Sequence, residues 1–401
     1  MSHHSAIPNS EKFDPKKGAK LNTLFQILAV AGLLGSALVL IMDRSLFAHS
    51  WLFAFFFAFT ILIGAFFWNC LHHATDSEWS VVVRRQMENV AALLKYMGLL
   101  FIPIAAICLI KPELLYSWFV AGPEDTLLAG TKSLYLNKPF FWGRAVAFFL
   151  LLYWLSGILR NRSMAQDADG AAKHTITMRR AAIAGIPTMA LCLTFGGIDW
   201  LKALNHHWFS TMWGVYLFAG AAGSSMALII LVCKWLKHHG YLVPVTNEHF
   251  HTMGKFIFAF TVFWGYIGYS QYMLITYANI DEETIYFRLR NTESWGIASH
   301  FLVGGRFFFM FIPLLFQGIK KSWGIIFCAS WIIFMQCVDL FIIIIPEYAP
   351  AGFSFAGLVG CACTLLVVVG ILGMGFLRHL KQGYLFPTKD PRLAESLKLT
   401  N

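Results

Sequence analysis

Hydrophobic residues in this chain occur in ten long runs, which are separated by shorter polar segments. A hydrocarbon core of about 30 Å is crossed by roughly 20 helical residues, and each run reaches that length. The pattern therefore predicts an all-α integral membrane protein with ten transmembrane helices. The runs lie near Lys20–Met42, Trp51–His73, Val90–Ile110, Pro139–Leu159, Arg180–Trp200, Phe209–Val232, Phe250–Tyr277, Trp295–Phe316, Trp323–Ile345 and Gly352–Leu377.

The composition favours the same class, because 58% of the residues are hydrophobic and only 13% are charged. A soluble domain cannot bury that much apolar surface. The polar first stretch contains no signal-peptide core, so we expect the first helix to be retained as an anchor. The cysteines form no CxxC or CxxCH motif, and no nucleotide-binding P-loop motif occurs. We expect this chain itself to bind no cofactor, no metal ion and no nucleic acid.

Lysine and arginine are concentrated in alternate loops. Lys16-Lys17, Arg84-Arg85 and Arg179-Arg180 lie on one side, whereas the acidic run Asp281-Glu282-Glu283 lies on the other. By the positive-inside rule the basic side is cytoplasmic, so both termini are predicted to lie in the cytoplasm. The formal net charge of +10 is then a consequence of topology.

Four consecutive runs form a block that occurs twice, and each block opens at a tryptophan, Trp51 or Trp208. Since four crossings return the chain to its starting side, the two copies have the same orientation. We predict two parallel-repeat four-helix bundles, with the first and tenth helices packed peripherally. The predicted divisions are 1–19 (cytoplasmic tail), 20–50 (first helix), 51–205 (first bundle), 206–347 (second bundle) and 348–401 (tenth helix and cytoplasmic tail).

Each block carries one arginine and one aspartate within its apolar runs. Arg144 and Asp199 belong to the first block, and Arg306 and Asp339 belong to the second. The topology places each arginine and its aspartate at similar depth in the external half, on neighbouring helices. An unpaired charge at that depth is costly, so we predict two Arg–Asp ion pairs. Two interpretations stay open: the pairs hold helices together, or they form a quinol headgroup site, a proton relay or both.

Further polar residues lie in the same external half. Tyr269 belongs to a tyrosine-rich run in the seventh helix, and His300 lies near the start of the eighth. Hydroxyl and imidazole groups can pass a proton along a hydrated path. An aromatic belt at the membrane interface is the alternative interpretation of the tyrosines.

A second polar group lies at the cytoplasmic end of the second helix. His72, His73 and Asp76 are close together in sequence, and Arg84-Arg85 begin the next amphipathic stretch. One interpretation is an entrance for protons from the cytoplasm. The other is an ordinary membrane-surface helix whose arginines snorkel towards water.

Three long strings carry a family resemblance: SEWSVVVRRQMENVAALL, IDWLKALNHHWFSTMWGVYLFAG and KFIFAFTVFWGYIGYSQYMLITYAN. They resemble the NrfD-like (polysulfide-reductase-type) membrane subunits of bacterial alternative complex III, in particular the smaller of its two such subunits. The resemblance covers nearly the whole chain. It agrees with the ten helices and two bundles predicted from the residues.

The resemblance implies a multisubunit respiratory complex in the bacterial cytoplasmic membrane. Such a complex oxidises quinol, for example menaquinol, and passes electrons to cytochrome c or to a terminal oxidase. The implied partners are a second NrfD-like subunit, an iron–sulfur protein, cytochrome c subunits and membrane lipids. Haem c and iron–sulfur clusters belong to those partners. The larger NrfD-like subunit is the one credited with the quinol site, and the smaller one with support and proton half-channels.

We therefore predict a subunit without a redox centre or firm catalytic residue of its own, which gives structural support and contributes to a proton path. Candidates for the cytoplasmic half of that path are His72, His73 and Asp76. Candidates for the external half are Tyr269, His300, Arg306 and Asp339, with Arg144 and Asp199 as the equivalent in the other bundle. The alternatives are a quinol-binding subunit with its own external site and a secondary transporter.

Overall fold

The chain is an all-α multi-pass membrane protein, as its apolar pattern predicts. A computed structural model describes residues 12–121, 125, 128 and 130–400. Residues 1–11 of the predicted cytoplasmic tail lie outside this part. The structure is 81% helical, and the residues it describes form no β-strand beyond one isolated bridge between Lys12 and Tyr384.

The long helices follow the apolar runs, and shorter helices lie between them. The α-helices described are α1 Ala19–Met42, α2 Arg44–Ala74, α3 Val81–Ala91, α4 Met97–Ile110, α5 Lys138–Asp169, α6 Ala172–Trp200, α7 Trp213–His238, α8 Asn247–Thr276, α9 Asp281–Arg290, α10 Glu293–Val303, α11 Phe309–Leu315, α12 Gln317–Lys321, α13 Gly324–Tyr348, α14 Phe355–Leu380 and α15 Leu393–Leu397. A 3₁₀ segment, Ala92–Tyr96, joins α3 to α4. A π-helical segment, Gly304–Phe308, joins α10 to α11.

Within the described part of the chain, nine helical spans are long and apolar enough to cross a membrane. The predicted run that is not among them is α8, although it is 30 residues long. Tyrosine, serine, glutamine and glycine interrupt its apolar residues and lower its mean hydropathy. The number of ten crossings therefore stays a prediction.

Several predicted helix ends are wrong, and local capping gives the reason. Helix α2 begins at Arg44 rather than at Trp51, because the Asp43 carboxylate accepts hydrogen bonds from the backbone of Ser45 and Leu46. Helix α5 continues to Asp169, where Gly170 ends it with a left-handed φ of 69°. The end turns of these helices contain polar residues, so each helix is longer than the apolar run that predicts it.

Helix α2 is the centre of the molecule. In its most apolar stretch, 94% of the residues are buried. It packs against α6, α7, α13 and α14, so it contacts helices from both predicted blocks. Tryptophan side chains fix two of its neighbours, since Trp51 donates to the Leu100 carbonyl and Trp68 to the Ala222 carbonyl, each at 2.9 Å. The predicted division into two blocks is not visible as a gap at α2.

The first and last long helices, α1 and α14, pack against each other along one side. Small residues allow this close approach: a Cβ on Gly32 would lie 2.6 Å from the Val367 nitrogen, and one on Gly370 would lie 2.7 Å from the Ala29 Cβ. Only 22% of the apolar stretch of α1 is buried. Close backbone packing at small residues is the usual means by which membrane helices associate.

The contact between α2 and α7 depends on Gly64. A Cβ at this position would lie 2.2 Å from the Ala221 carbonyl oxygen and 2.5 Å from the Ser225 hydroxyl. We expect Gly64→Ala to push these helices apart and to lower the free energy of unfolding by about 1–3 kcal/mol, the usual cost of overpacking. The measurement is thermal unfolding of the detergent-purified protein.

Gly98→Ala is the matched control, because a Cβ on Gly98 has nothing within 4 Å. This variant should unfold at the wild-type temperature or slightly above it, since alanine favours helix over glycine. Equal unfolding temperatures for the two variants would contradict the packing assigned to Gly64.

Candidate functional site

The deepest predicted ion pair joins Arg306 to Asp339. Arg306 lies in the π-helical segment and Asp339 lies in α13, and their exposed fractions are 3% and 2%. Arg306 Nη1 donates to Asp339 Oδ2 at 2.5 Å, and Nη2 donates to Gln336 Oε1 at 2.6 Å. A π turn inserts one extra residue into a helix and is frequent at functional sites. Here it carries the arginine that faces the carboxylate.

Two aromatic side chains complete the surroundings of Asp339. Tyr216 Oη donates to Asp339 Oδ1 at 2.6 Å, and Trp264 Nε1 donates to Oδ2 at 3.1 Å. The Trp264 ring also lies 4.4 Å from the guanidinium carbon of Arg306, within the range of a cation–π contact. The carboxylate thus accepts three donors that stabilise its charged form.

This site reaches α2 through a weak hydrogen bond. Gln336 Nε2 lies 3.5 Å from Thr60 Oγ1, and both side chains are buried. We refer to Thr60, Tyr216, Trp264, Arg306, Gln336 and Asp339 as the Asp339 site. The sequence does not single out the other four, Thr60, Tyr216, Trp264 and Gln336, because uncharged polar and aromatic residues recur throughout the apolar runs.

The other predicted pair, Arg144 with Asp199, is also present. Arg144 Nε and Nη2 donate to the two carboxylate oxygens at 2.7 and 2.8 Å, which is the bidentate geometry. Arg144 Nη1 donates to the Tyr135 carbonyl at 3.1 Å. The rings of Tyr135 and Phe140 lie 3.9 and 4.2 Å from the guanidinium carbon. This pair therefore joins α5, α6 and the segment before α5.

Tyr269 and His300 lie apart from these pairs. The Tyr269 side chain is 65% exposed, on the opposite side of α8 from the buried Trp264. His300 is exposed, and its Nδ1 donates to the Gly296 carbonyl of its own helix at 2.6 Å. Among the described residues, neither side chain makes a hydrogen bond to Arg306 or Asp339. Exposure of Tyr269 matches the alternative interpretation, an aromatic belt.

A dense group of charges lies where α2 ends and α3 begins. Arg84 pairs with Glu88 at 2.9 Å and with Asp390. Arg85 pairs with Asp167 at 2.5 Å and with Glu88 at 3.4 Å. All five side chains are buried, and we call Arg84, Arg85, Glu88, Asp167 and Asp390 the buried charge cluster. The interpretation of Arg84 and Arg85 as snorkelling arginines is wrong, because other parts of the chain cover them.

The predicted proton-entrance residues flank this cluster. His72 Nδ1 lies 2.6 Å from Ser80 Oγ, and its Nε2 accepts from Arg84 Nη1 at 3.0 Å. His73 is buried, and neither of its ring nitrogens has a hydrogen-bond partner among the described residues. Asp76 is exposed, has a positive φ of 57°, and pairs with Arg179 and with Arg392. His72 therefore belongs to the buried network, and Asp76 to its surface.

The C-terminal segment closes the cluster, a contact that the sequence did not predict. Gln86 Nε2 donates to the Leu385 carbonyl at 2.7 Å, and Ser396 Oγ donates to the Trp79 carbonyl at 3.0 Å. Burial by itself would raise the pKa of Asp390, but the charges of Arg84 and Arg392 and hydrogen bonds from Arg392 hold it below the ordinary value. Asp390 is therefore a buried anion that compensates the charge of Arg84.

One group of side chains has the composition of a metal site. Asp125, His206 and His207 bring potential ligand atoms within 4.8 Å of one another. In the structure His206 Nε2 donates to Asp125 Oδ2 at 2.6 Å, and this hydrogen bond lowers the pKa of the Asp125 carboxyl. The two histidines are adjacent, but Asp125 precedes His206 by 81 residues, so the group forms no ligand motif in the sequence. The arrangement is already satisfied as a hydrogen-bonded His–Asp pair.

The role of Asp390 is tested by Asp390→Asn. The change removes one counter-charge from buried Arg84, so we expect the free energy of unfolding to fall by about 1–3 kcal/mol. Because the folded-state pKa of Asp390 is lowered, its contribution is present above the ordinary aspartate pKa and disappears only as the pH falls through the lowered value. The measurements are thermal unfolding at neutral pH and the rate of proteolysis of the C-terminal segment.

Glu395→Gln is the matched control, since Glu395 is an exposed carboxylate of the same segment without an ion pair in the described part of the chain. It should unfold and be cleaved as the wild type does. If both variants behave alike, Asp390 does not hold the C-terminal segment in place.

Comparison with protein-family models gives no match, and comparison with curated proteins gives no significant match. The resemblance to the NrfD-like subunits thus comes from the three sequence strings alone.

Proposed function

We propose that this chain is an integral membrane subunit of a bacterial quinol-oxidising respiratory complex, in which it supports the assembly and has no redox centre of its own. In this proposal both termini are cytoplasmic, and ten helices form two four-helix bundles with two peripheral helices. The geometry of the Asp339 site is the observation that favours the supporting role. One carboxylate there joins every long helix of the second predicted bundle.

The contacts of Asp339 explain why it suits a support. Tyr216 belongs to α7, Trp264 to α8, Arg306 to the segment between α10 and α11, and Asp339 to α13. In a membrane, contact between apolar side chains of two helices gives little hydrophobic free energy, because lipid tails are equally apolar. Close packing and buried polar contacts therefore determine how the helices associate. Loss of a partner would leave the buried charge of Asp339 or Arg306 uncompensated, so these contacts hold the helices in one arrangement. A subunit with such a fixed framework presents constant surfaces to its partners.

A second candidate function is a proton path, and it is favoured by buried polar groups near α2. Both polar atoms of the Asn69 side chain and both ring nitrogens of His73 lack a hydrogen-bond partner among the described residues. Buried polar groups are nearly always satisfied, and ordered water is the usual partner where protein atoms are not. A hydrated stretch between His73 and Thr60 along α2 would lead from the buried charge cluster towards the Asp339 site.

Membership of a respiratory complex is tested by purification of the affinity-tagged chain from its native membrane in mild detergent. We expect it to copurify with subunits that contain haem c and iron–sulfur clusters, and with quinol:cytochrome c oxidoreductase activity. The measurements are haem absorbance, metal content and quinol turnover. A tagged, unrelated multi-pass protein from the same membrane is the control, and isolation of the chain without haem-bearing partners would contradict the proposal.

Asp339→Asn separates the supporting role from the proton path. The change leaves Arg306 buried without a full counter-charge, which typically costs about 3–5 kcal/mol, so we expect the amount of assembled complex to fall. If support is the main role, the complex that still assembles keeps its quinol turnover and its proton release per electron. If Asp339 carries protons, the assembled complex loses proton translocation. The measurements are complex yield, turnover and proton release in vesicles.

The double variant Arg306→Gln with Asp339→Asn is the control for charge imbalance. Removal of both charges leaves no uncompensated charge in the interior, so assembly should recover towards the wild-type yield. Recovery of assembly together with wild-type proton release would exclude a proton path through Asp339. A yield as low as that of Asp339→Asn would contradict the ion-pair account of support.

A further inference from the structure

A positively charged cleft lies outside the sites described so far. It has a volume of about 620 Å³ and is formed by the end of α5, the 3₁₀ segment Ala92–Tyr96 and the end of α14. None of its lining residues is an aspartate or a glutamate. Its polar and aromatic lining includes Lys95, Tyr153, Trp154, Arg160, Arg162 and His379.

Arg160 is the central residue of the cleft. Its side chain is buried, and its donors meet neutral acceptors: Nε donates to Asn89 Oδ1 at 3.3 Å, and Nη2 donates to the His379 carbonyl at 3.2 Å. Within the described residues Arg160 forms no ion pair, and the carboxylate of Glu88 is paired with other arginines of the buried charge cluster. A buried guanidinium without a carboxylate partner favours an anion that can reach it.

Two exposed cations extend the positive charge of the cleft. Lys95 Nζ lies 2.8 Å from His379 Nε2 and donates to it, and Arg162 lies half a turn beyond Arg160 on α5. His379 also lies 3.1 Å from the Asn89 carbonyl through its Nδ1. The cleft thus contains three positive charges and no negative one. Phosphate groups are the anions that such arginine and lysine sets bind best.

The surroundings indicate that this phosphate belongs to a lipid. Tyr153 and Trp154, which line the cleft, are 57% and 60% exposed, as expected of aromatic side chains at the membrane–water interface. One turn further into the apolar spans, Leu99 on α4 and Leu150 on α5 are exposed as well. A headgroup in the cleft would therefore have apolar helix surface next to it for acyl chains.

We propose that this cleft binds the phosphate of an anionic phospholipid, with its acyl chains along α4 and α5. Basic pockets between membrane helices are a known means of recognising such headgroups. The proposal depends on the cleft alone and holds whether or not the chain belongs to a respiratory complex. Arg160 supplies the buried charge, Lys95 and Arg162 supply the outer ones, and Trp154 lies beside the headgroup.

The test is native mass spectrometry of the delipidated protein, titrated with phosphatidylglycerol, with zwitterionic phosphatidylcholine, or with inorganic phosphate. We expect phosphatidylglycerol to bind and phosphatidylcholine to bind much more weakly. Lys95→Gln with Arg162→Gln changes only exposed positions, so the fold should survive, and the affinity for phosphatidylglycerol should fall about tenfold. Arg160→Gln should lower it further.

Arg180→Gln is the matched control, because Arg180 is an exposed arginine near the same end of the molecule but outside the cleft. It should leave lipid binding unchanged. Equal binding of both phospholipids, or a wild-type affinity in the Lys95 and Arg162 double variant, would overturn the proposal. Binding of inorganic phosphate without phosphatidylglycerol would overturn the assignment to a lipid and leave a site for soluble phosphate.

Discussion

The pairing of Asp339 with its three donors is the interaction on which the arrangement of the second half of the chain depends. A carboxylate in an apolar interior must find compensating donors, and the donors here come from helices that are far apart in sequence. Apolar packing tolerates small shifts of one helix along another, whereas this hydrogen-bond geometry does not. The π-helical segment is part of the same constraint, since its extra residue sets the position of Arg306 relative to α13.

The same rule governs the opposite end of the molecule, where the partners come from still more distant positions. Arg84 and Asp390 are 306 residues apart in sequence, yet they pair in the interior. The C-terminal segment therefore belongs to the folded core, although its composition is that of a polar tail. Helix α2 connects the two ends, because it carries His72 beside the buried charge cluster and Thr60 beside the Asp339 site.

The sequence predicts the helices and both Arg–Asp pairs, because long apolar runs and lone charges within them have few structural solutions. It does not predict that Arg84 and Arg85 are buried. An amphipathic pattern shows which face of a helix is polar. It does not show whether water or a second charged segment contacts the polar groups of that face. Nor does it single out Tyr216 and Trp264, since tyrosine and tryptophan are common throughout these runs. Tyr216 and Trp264 contact Asp339 because of how the helices pack in three dimensions, and a local sequence pattern does not predict that packing.

The two Arg–Asp pairs differ in their hydrogen-bond partners although their sequence contexts are alike. Asp199 receives both of its short bonds from one guanidinium, whereas Asp339 accepts from three different side chains. Both oxygens of the Asp339 carboxylate already accept hydrogen bonds. In a proton path, one of these donors would have to move before Asp339 could receive a proton. Arginine and tryptophan side chains can only donate hydrogen bonds, while a tyrosine hydroxyl can also accept one. Under the proposed function, Tyr216 is thus the donor whose movement would open Asp339 to a proton.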